Sequence, residues 1–167
     1  MTASLSEAHG DRLPGVLMNE AVLEQDLAKA RVTKAGLVSA GLRLSLDSLL
    51  FPHTEWTDFN VVVLQWWVAA AIRLLGGEKQ TVEVRFMEGP FLVTIEDRGE
   101  RTWNLKLVEA GLRTDVKAEA TVEALPLIRS ILSASDAVLA LCRERRWWSS
   151  DADTLVRSLA QLKSVRP

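Results

Sequence analysis

The sequence predicts an α+β protein in which an antiparallel β-meander of three to five strands packs against a long central apolar helix and C-terminal helices. Three observations carry that expectation. Residues Phe59 to Leu75 are apolar at nearly every position and stop at Gly76-Gly77. From Val82 to Leu107 apolar and polar residues alternate in short runs separated by turn residues, the period of a half-buried strand. Beyond Thr121 the apolar residues return at helical spacing. With 48% hydrophobic residues in 167, the chain can bury one substantial core without disulfides or metal. A single domain over residues 16–167 is expected, preceded by a tail over residues 1–15 that lacks the charged start and apolar stretch of a secretory signal.

Taken in order, Asn19 to about Arg31 carries Val22, Leu23, Leu27 and Ala30 at helical spacing between Glu20, Glu24, Gln25, Asp26 and Lys29, which predicts a short amphipathic helix. Gly36 and Gly41 break it. Leu42, Leu44 and Leu46 alternate with Arg43, Ser45 and Asp47 and suggest an extended segment, with a helix as the close alternative, before Phe51-Pro52. Thr54 or Thr57 is the expected cap of the central helix, with Glu55 and Asp58 near its positive end. At about 100° per residue, Asp58, Gln65 and Arg73 fall on one narrow polar strip of an otherwise apolar cylinder. The helix is too short and too interrupted by Asn60, Gln65 and Arg73 for a membrane span, which needs about 18 apolar residues. A buried central helix is the better reading.

Val82, Val84 and Phe86 form the first run of the meander, Phe91, Val93 and Ile95 the second, and Trp103, Leu105 and Leu107 the third. Gly89-Pro90 and Asp97-Arg98-Gly99-Glu100 supply the turns, and one greasy and one polar face are expected. Val116, Ala118 and Ala120 extend the sheet as its weakest strand. Leu125, Ile128, Ile131 and Leu132, then Val138, Leu139, Leu141 and Cys142, are helical, with Pro126 in the first turn, where its missing amide costs nothing. Ser149-Ser150-Asp151 restarts the chain into a last helix that buries Leu155, Val156, Leu159 and Leu162.

The same composition excludes several functions. A formal charge of −2 provides no whole-molecule field for nucleic acid or an anionic membrane, and neither is expected as a partner. Cys142 is the only cysteine, which removes any disulfide framework or multi-cysteine metal site and points to a reducing cytoplasm. It reads as a small core residue with no histidine beside it to make a thiolate. His53, Glu55 and Asp58 match no metal spacing and read as loop and capping residues, while His9 falls in the tail. Glu83, Glu96, Asp97, Glu100 and Glu109 interleave with Arg85, Arg98, Arg101 and Lys106, so charge pairing accounts for them better than a catalytic carboxylate pair. Glu88 shares the phase of Val82, Val84 and Phe86, which sets it at the rim of the core unless the Gly89-Pro90 turn lifts it clear. No phosphate loop, nucleophile elbow or zinc-protease motif is present, and the reading is a protein that is not an enzyme and needs no cofactor or metal.

One run stands out as a contact candidate. Arg143-Glu144-Arg145-Arg146-Trp147-Trp148 joins cations to aromatics, a combination used to grip anions or stack bases, and equally one that ends a helix and packs a corner. Tryptophan and arginine are enriched among interface hot spots, so Arg145, Arg146, Trp147 and Trp148 become candidate partner-binding residues, with Asp58, Gln65 and Arg73 on the polar strip and Glu88 beside the turn. A ligand pocket between the sheet and the central helix, lined by Trp66, Phe86, Phe91 and Trp103, is the rival from another class.

The order of these features is similar to that of the small α+β immunity proteins encoded beside bacterial polymorphic and contact-dependent toxins. It comprises a Trp66-Trp67 helix running into Gly76-Gly77, a strand ending Phe86-Met87-Glu88-Gly89-Pro90-Phe91, and a following hairpin with Trp103. The resemblance covers roughly Asp58 to Val108. It implies a cytoplasmic bacterial protein that binds a cognate toxin or effector and occludes its active site, and it assigns no individual contact residue. A secretion chaperone or adaptor is the related alternative, with a homodimer formed through the central and N-terminal helices.

Overall fold

Two antiparallel sheets enclose the apolar helix. In the computed structural model, which describes residues 18–165, β1 (Ala21–Val32), β2 (Val38–Leu46), β3 (Leu49–Phe51) and β4 (Thr57–Phe59) form the first sheet. Then come α1 (Asn60–Leu75), the second sheet of β5 (Thr81–Arg85), β6 (Phe91–Asp97), β7 (Thr102–Ala110) and β8 (Thr114–Glu123), and the helices α2 (Ala124–Arg145) and α3 (Ser150–Ser164). The α+β architecture with its meander and apolar helix is as the sequence predicts. The proposed tail and His9 lie outside the described residues.

The first sheet departs from expectation at its start. Residues 21–32 form a strand, not the amphipathic helix read from Val22, Leu23, Leu27 and Ala30. The competing signal is β2, where Val38, Ala40, Leu42, Leu44 and Leu46 are all buried and alternate with half-exposed residues. A strand with that inner row needs a neighbour for its backbone groups, and β1 supplies it from Ala21↔Leu46 to Val32↔Val38. The helical spacing arises from an irregularity: between Asp26↔Gly41 and Arg31↔Ser39 five residue steps on β1 face two on β2. The opposite edge of β2 is shared, with β3 pairing at Leu44 to Leu46 and β4 at Ser39 to Gly41.

The meander forms as predicted. Val84, Val93, Leu107 and Ala118 form one row across the four strands, and Val82, Ile95, Leu105 and Ala120 the next. This face meets the core. The opposite face is less uniformly polar than expected, because Leu92 and Val108 pair across it and are buried at 5% and 6% exposure. A bulge where β7 passes from Leu107 to Val108 puts Val116 beside Val108 on that face, half exposed. The amine of Lys117, at the bulge, lies 2.7 Å from Asp115 and 3.0 Å from Glu109. Its pKa is raised, chiefly by the hydrogen bond to Asp115 and then by that to Glu109. A charged, bulged strand of this kind protects a sheet edge from pairing with other chains. A parallel bridge between Asn19 and Val122 links the entry of the first sheet to the end of the second.

α1 packs against β5, β2, α2 and α3, and Val63, Leu64, Trp67, Val68, Ala71 and Leu74 are almost completely buried. Gly76 ends it as expected, but neither Thr54 nor Thr57 caps it. Phe59 occupies the cap position without a side-chain hydrogen bond, and the first turn holds no acidic residue. Thr57 and Asp58 belong to β4 instead, so the polar strip imagined for the helix does not exist as such. α2 runs unbroken through Ser135-Asp136, the Ser135 hydroxyl donating to the Ile131 carbonyl at 2.7 Å. Among the described residues it is the one helix with the length and mean hydropathy of a membrane span, and Leu127, Ile128, Ile131, Val138, Leu139 and Cys142 place its apolar side in the core. α3 starts at Ser149, whose hydroxyl accepts from the Ala152 amide, and Leu155, Leu159 and Leu162 are buried as expected. Val156 is 37% exposed.

Candidate functional site

The helix-to-helix corner between α2 and α3 brings the predicted cations and aromatics together. α2 ends at Arg146, which takes a left-handed conformation at φ 58°, and the Trp147 amide donates to the Cys142 carbonyl at 2.8 Å. That closure turns the chain sharply and throws the two indoles to different depths. Trp147 packs half-buried against the core, whereas Trp148 is 38% exposed. The Arg145 guanidinium lies 5.5 Å from the Trp147 ring centre, and that of Arg143 lies 4.8 Å from the Trp148 ring centre. Both are cation–π distances. The Trp148 indole N–H donates to Asp153 Oδ1 at 2.9 Å, which fixes the ring against α3.

The result is a pair of rigid, amphipathic platforms, each topped by a cation. No carboxylate lies within 4 Å of the Arg143, Arg145 or Arg146 guanidinium among the described residues. Arg143 and Asp153 were not among the contact residues chosen from sequence; the signal for Arg143 was its place in the same basic run, and for Asp153 only its nearness to Ser149.

The remaining candidates lie elsewhere. Asp58 is fully buried, so it cannot touch a partner. Its carboxylate accepts from the Phe59 amide at 2.8 Å, the Trp56 indole at 2.9 Å and the Met87 amide at 3.0 Å, with the Glu88 amide at 3.4 Å. It is the tie that holds the β5–β6 turn to the first sheet. Glu88 is consequently lifted to the exposed side of that turn, away from the core rim. Gln65 is half-buried, its Oε1 without a partner among the described residues, and Arg73 is exposed and reaches Glu78 at 3.9 Å, so the two do not join Asp58 in a contact strip.

Around Asp58, Phe51, Trp56, Phe86 and Phe91 stack edge to face with ring centres 5.2 to 6.4 Å apart, and His53 lies edge-on to Trp56. These rings pack on one another. Of the four residues expected to line a ligand pocket, Phe86 and Trp103 are core residues at 3% and 2% exposure, while Trp66 is 38% exposed on α1. Cys142 is completely buried and its thiol pKa is raised by that burial, with Arg143 opposing weakly. It is packed as a core residue. Among the described residues no group of three or more His, Cys, Asp or Glu side chains is placed to hold a metal ion.

The fold and corner together define an α+β domain with a cationic, aromatic surface at one helix junction. Compared with protein-family models, curated proteins and solved structures, the chain matches none of them.

Proposed function

We propose that this chain is a non-enzymatic protein-binding protein, an immunity protein that neutralises a cognate bacterial toxin in the cytoplasm by covering its active site. The observation that carries the reading is the corner itself: Trp147 and Trp148 are each under an arginine, and among the described residues no carboxylate engages the guanidinium groups. Rigid tryptophans lose little conformational entropy on binding, and Trp and Arg are the residues that most often dominate interface energies. The likeness of residues 58–108 to toxin-immunity proteins in the order of their features supplies the class of partner.

Co-expression with the product of the neighbouring gene, followed by purification through a tag on either protein, tests the reading. A stable complex whose toxin is inactive supports it. Failure to bind that neighbour, together with a toxin that remains lethal when this chain is present, sinks it. Trp148→Ala in the same assay should weaken the complex by at least about tenfold, since a central hot spot is worth about 2 kcal/mol or more.

A further inference from the structure

The two sheets end in edges of different kinds. β1 closes the first sheet against α2, where the Leu23 amide donates to the Ser130 hydroxyl and the Gln25 side chain to the Ala134 carbonyl, both at 2.9 Å. On the other side of that sheet β3 and β4 are only 3 residues each. At one end of the meander β8 carries its bulge and the bridge to Asn19. β5, at the other end, has neither, and its pairing with β6 runs unbroken from Thr81↔Glu96 to Arg85↔Leu92.

Hydrogen-bond parity defines the free side of β5. The Phe86 amide donates to the Phe91 carbonyl at 3.0 Å and the Asp97 amide to the Gln80 carbonyl at 2.8 Å, so the even-numbered residues of β5 are the ones that exchange bonds with β6. The amides and carbonyls of Thr81, Glu83 and Arg85 point the other way, where no strand adjoins them among the described residues. All three residues are exposed, and Arg85 reaches Glu83 of its own strand at 3.4 Å. Such a row of backbone groups is a template for another strand. Trp66 adds an apolar surface beside it. The chain leaves α1 along the Arg73 side, with the Glu78 amide donating to the Arg73 carbonyl at 3.1 Å and the Glu78 carboxylate 3.9 Å from the Arg73 side chain, and enters β5 at Thr81. At about 100° per residue Trp66 projects from that same side of the helix, and it is exposed.

We propose that β5 pairs antiparallel with β5 of a second copy about a two-fold axis at Val84, joining the two four-stranded meanders into one continuous sheet. Charge selects both the occupant and the register. An acidic strand would meet Glu83 and a basic one Arg85, whereas an antiparallel copy offers each its opposite. Centring the pair on Glu83 or on Arg85 sets like charges directly opposite, which is destabilising, and centring it on Val82 sets Arg85 against Lys79. Centring it on Val84 places Glu83 of each copy opposite Arg85 of the other, and the two-fold axis makes that pair twice. The proposal does not rest on the immunity reading, whose corner belongs to α2 and α3.

Sedimentation velocity of the intact protein over a range of concentrations provides the test. The parent should sediment as a dimer that dissociates on dilution. Glu83→Arg and Arg85→Glu each set two like-charge pairs across the axis and should each weaken the dimer by about tenfold or more at low salt, while the double exchange Glu83→Arg, Arg85→Glu should restore it. Glu83→Pro removes an edge-facing amide and leaves the bonds to β6 in place, so it should abolish the dimer with an unchanged circular dichroism spectrum. A parent that stays monomeric up to about 100 μM overturns the proposal, and if Glu83→Pro then weakens binding of the neighbouring gene's product, the edge receives a strand of that protein instead. A dimer that ignores the charge reversals and Glu83→Pro lies elsewhere on the surface and overturns it too. So does a dimer that the single reversals weaken and the double exchange fails to restore.

Discussion

Removing the Asp58 carboxylate should destabilise the protein far more than removing a carboxylate at the surface. Asp58→Ala leaves the Trp56 indole N–H and the Phe59 and Met87 amides without this acceptor, and the weaker Glu88 contact at 3.4 Å is lost with them. An unpaired buried donor costs about 1–3 kcal/mol, and bonds to a charged acceptor lie at the upper end of the usual range. Because Trp56 is only half-buried and Met87 is exposed, water recovers part of the loss, which sets the expected cost at about 3 kcal/mol. Asp58→Asn keeps one accepting oxygen but turns an amide donor towards the others, and should cost about 2 kcal/mol. Asp47→Ala is the control: its Oδ1 accepts from the Glu20 amide at 2.9 Å in an exposed setting, and the change should stay within about 1 kcal/mol. Urea unfolding followed by tryptophan fluorescence gives all three values, and amide exchange at Met87 should quicken in Asp58→Ala ahead of exchange in α1. A cost below about 1 kcal/mol for Asp58→Ala, or unchanged exchange at Met87, would show that the carboxylate does not secure the β5–β6 turn.

At the corner, Trp147→Ala should cost about 2 kcal/mol in urea unfolding because the ring packs on the core, whereas Trp148→Ala should cost less than about 1 kcal/mol; the reverse order would show that the exposed ring is the structural one. Gly89→Ala should destabilise by about 1–3 kcal/mol, because its new Cβ would stand 2.8 Å from Trp56 Cη2 and 3.1 Å from Phe91 Cδ2; thermal denaturation measures it, and an unchanged midpoint would show that the ring cluster yields freely. Burial raises the Cys142 pKa, so a thiol reagent should modify the native protein much more slowly than the unfolded chain. By linkage the same shift contributes stability below the ordinary thiol value of 9.0 and loses it as pH rises towards the folded-state value; urea midpoints at rising pH should fall in Cys142→Ser less steeply than in the parent. Trp67→Phe removes a buried indole N–H that has no partner among the described residues while keeping most of the ring, and should change stability by less than about 1.5 kcal/mol; a loss of 3 kcal/mol or more would reveal a partner for that N–H.

What could be read from the sequence depended on whether the signal was local. The meander was legible because Val82 to Leu107 alternates with a strict period of two and its turns carry their own residues. α3 was legible from Ser149 and the spacing of Leu155, Leu159 and Leu162. β1 was not, because the bulge between Asp26 and Arg31 shifts Leu27 and Ala30 out of alternation and into helical spacing, and the row of buried residues on β2 decides the outcome from outside the segment. Asp58 was misplaced for a related reason. An aspartate before an apolar run is the usual signal for a helix start, yet its carboxylate also accepts from the amides of Met87 and Glu88, which adjoin it only in the folded chain. For the corner, Arg145, Arg146, Trp147 and Trp148 were legible as a run; the tie from Trp148 to Asp153 was not, since it depends on how α3 leaves the turn.

The apolar helix explains why a contact surface should be sought at that end of the fold. α1 meets both sheets and both other helices, and even its first polar residue turns inward: Asn60 Oδ1 accepts from the Ala40 amide at 3.1 Å, while its Nδ2 donates to Gln25 Oε1 at 2.9 Å. Gln25 in turn holds the Ala134 carbonyl of α2, so one chain of amides ties β1, β2, α1 and α2 together. Side chains committed in this way cannot change partner without leaving buried groups unpaired, at about 1–3 kcal/mol each. On the proposed reading, binding draws on residues whose charges meet no carboxylate among the described residues. Arg143, Arg145 and Arg146 meet that condition, and the rigid frame beneath them lets a partner be gripped without further ordering of the backbone, which lowers the entropic cost of association.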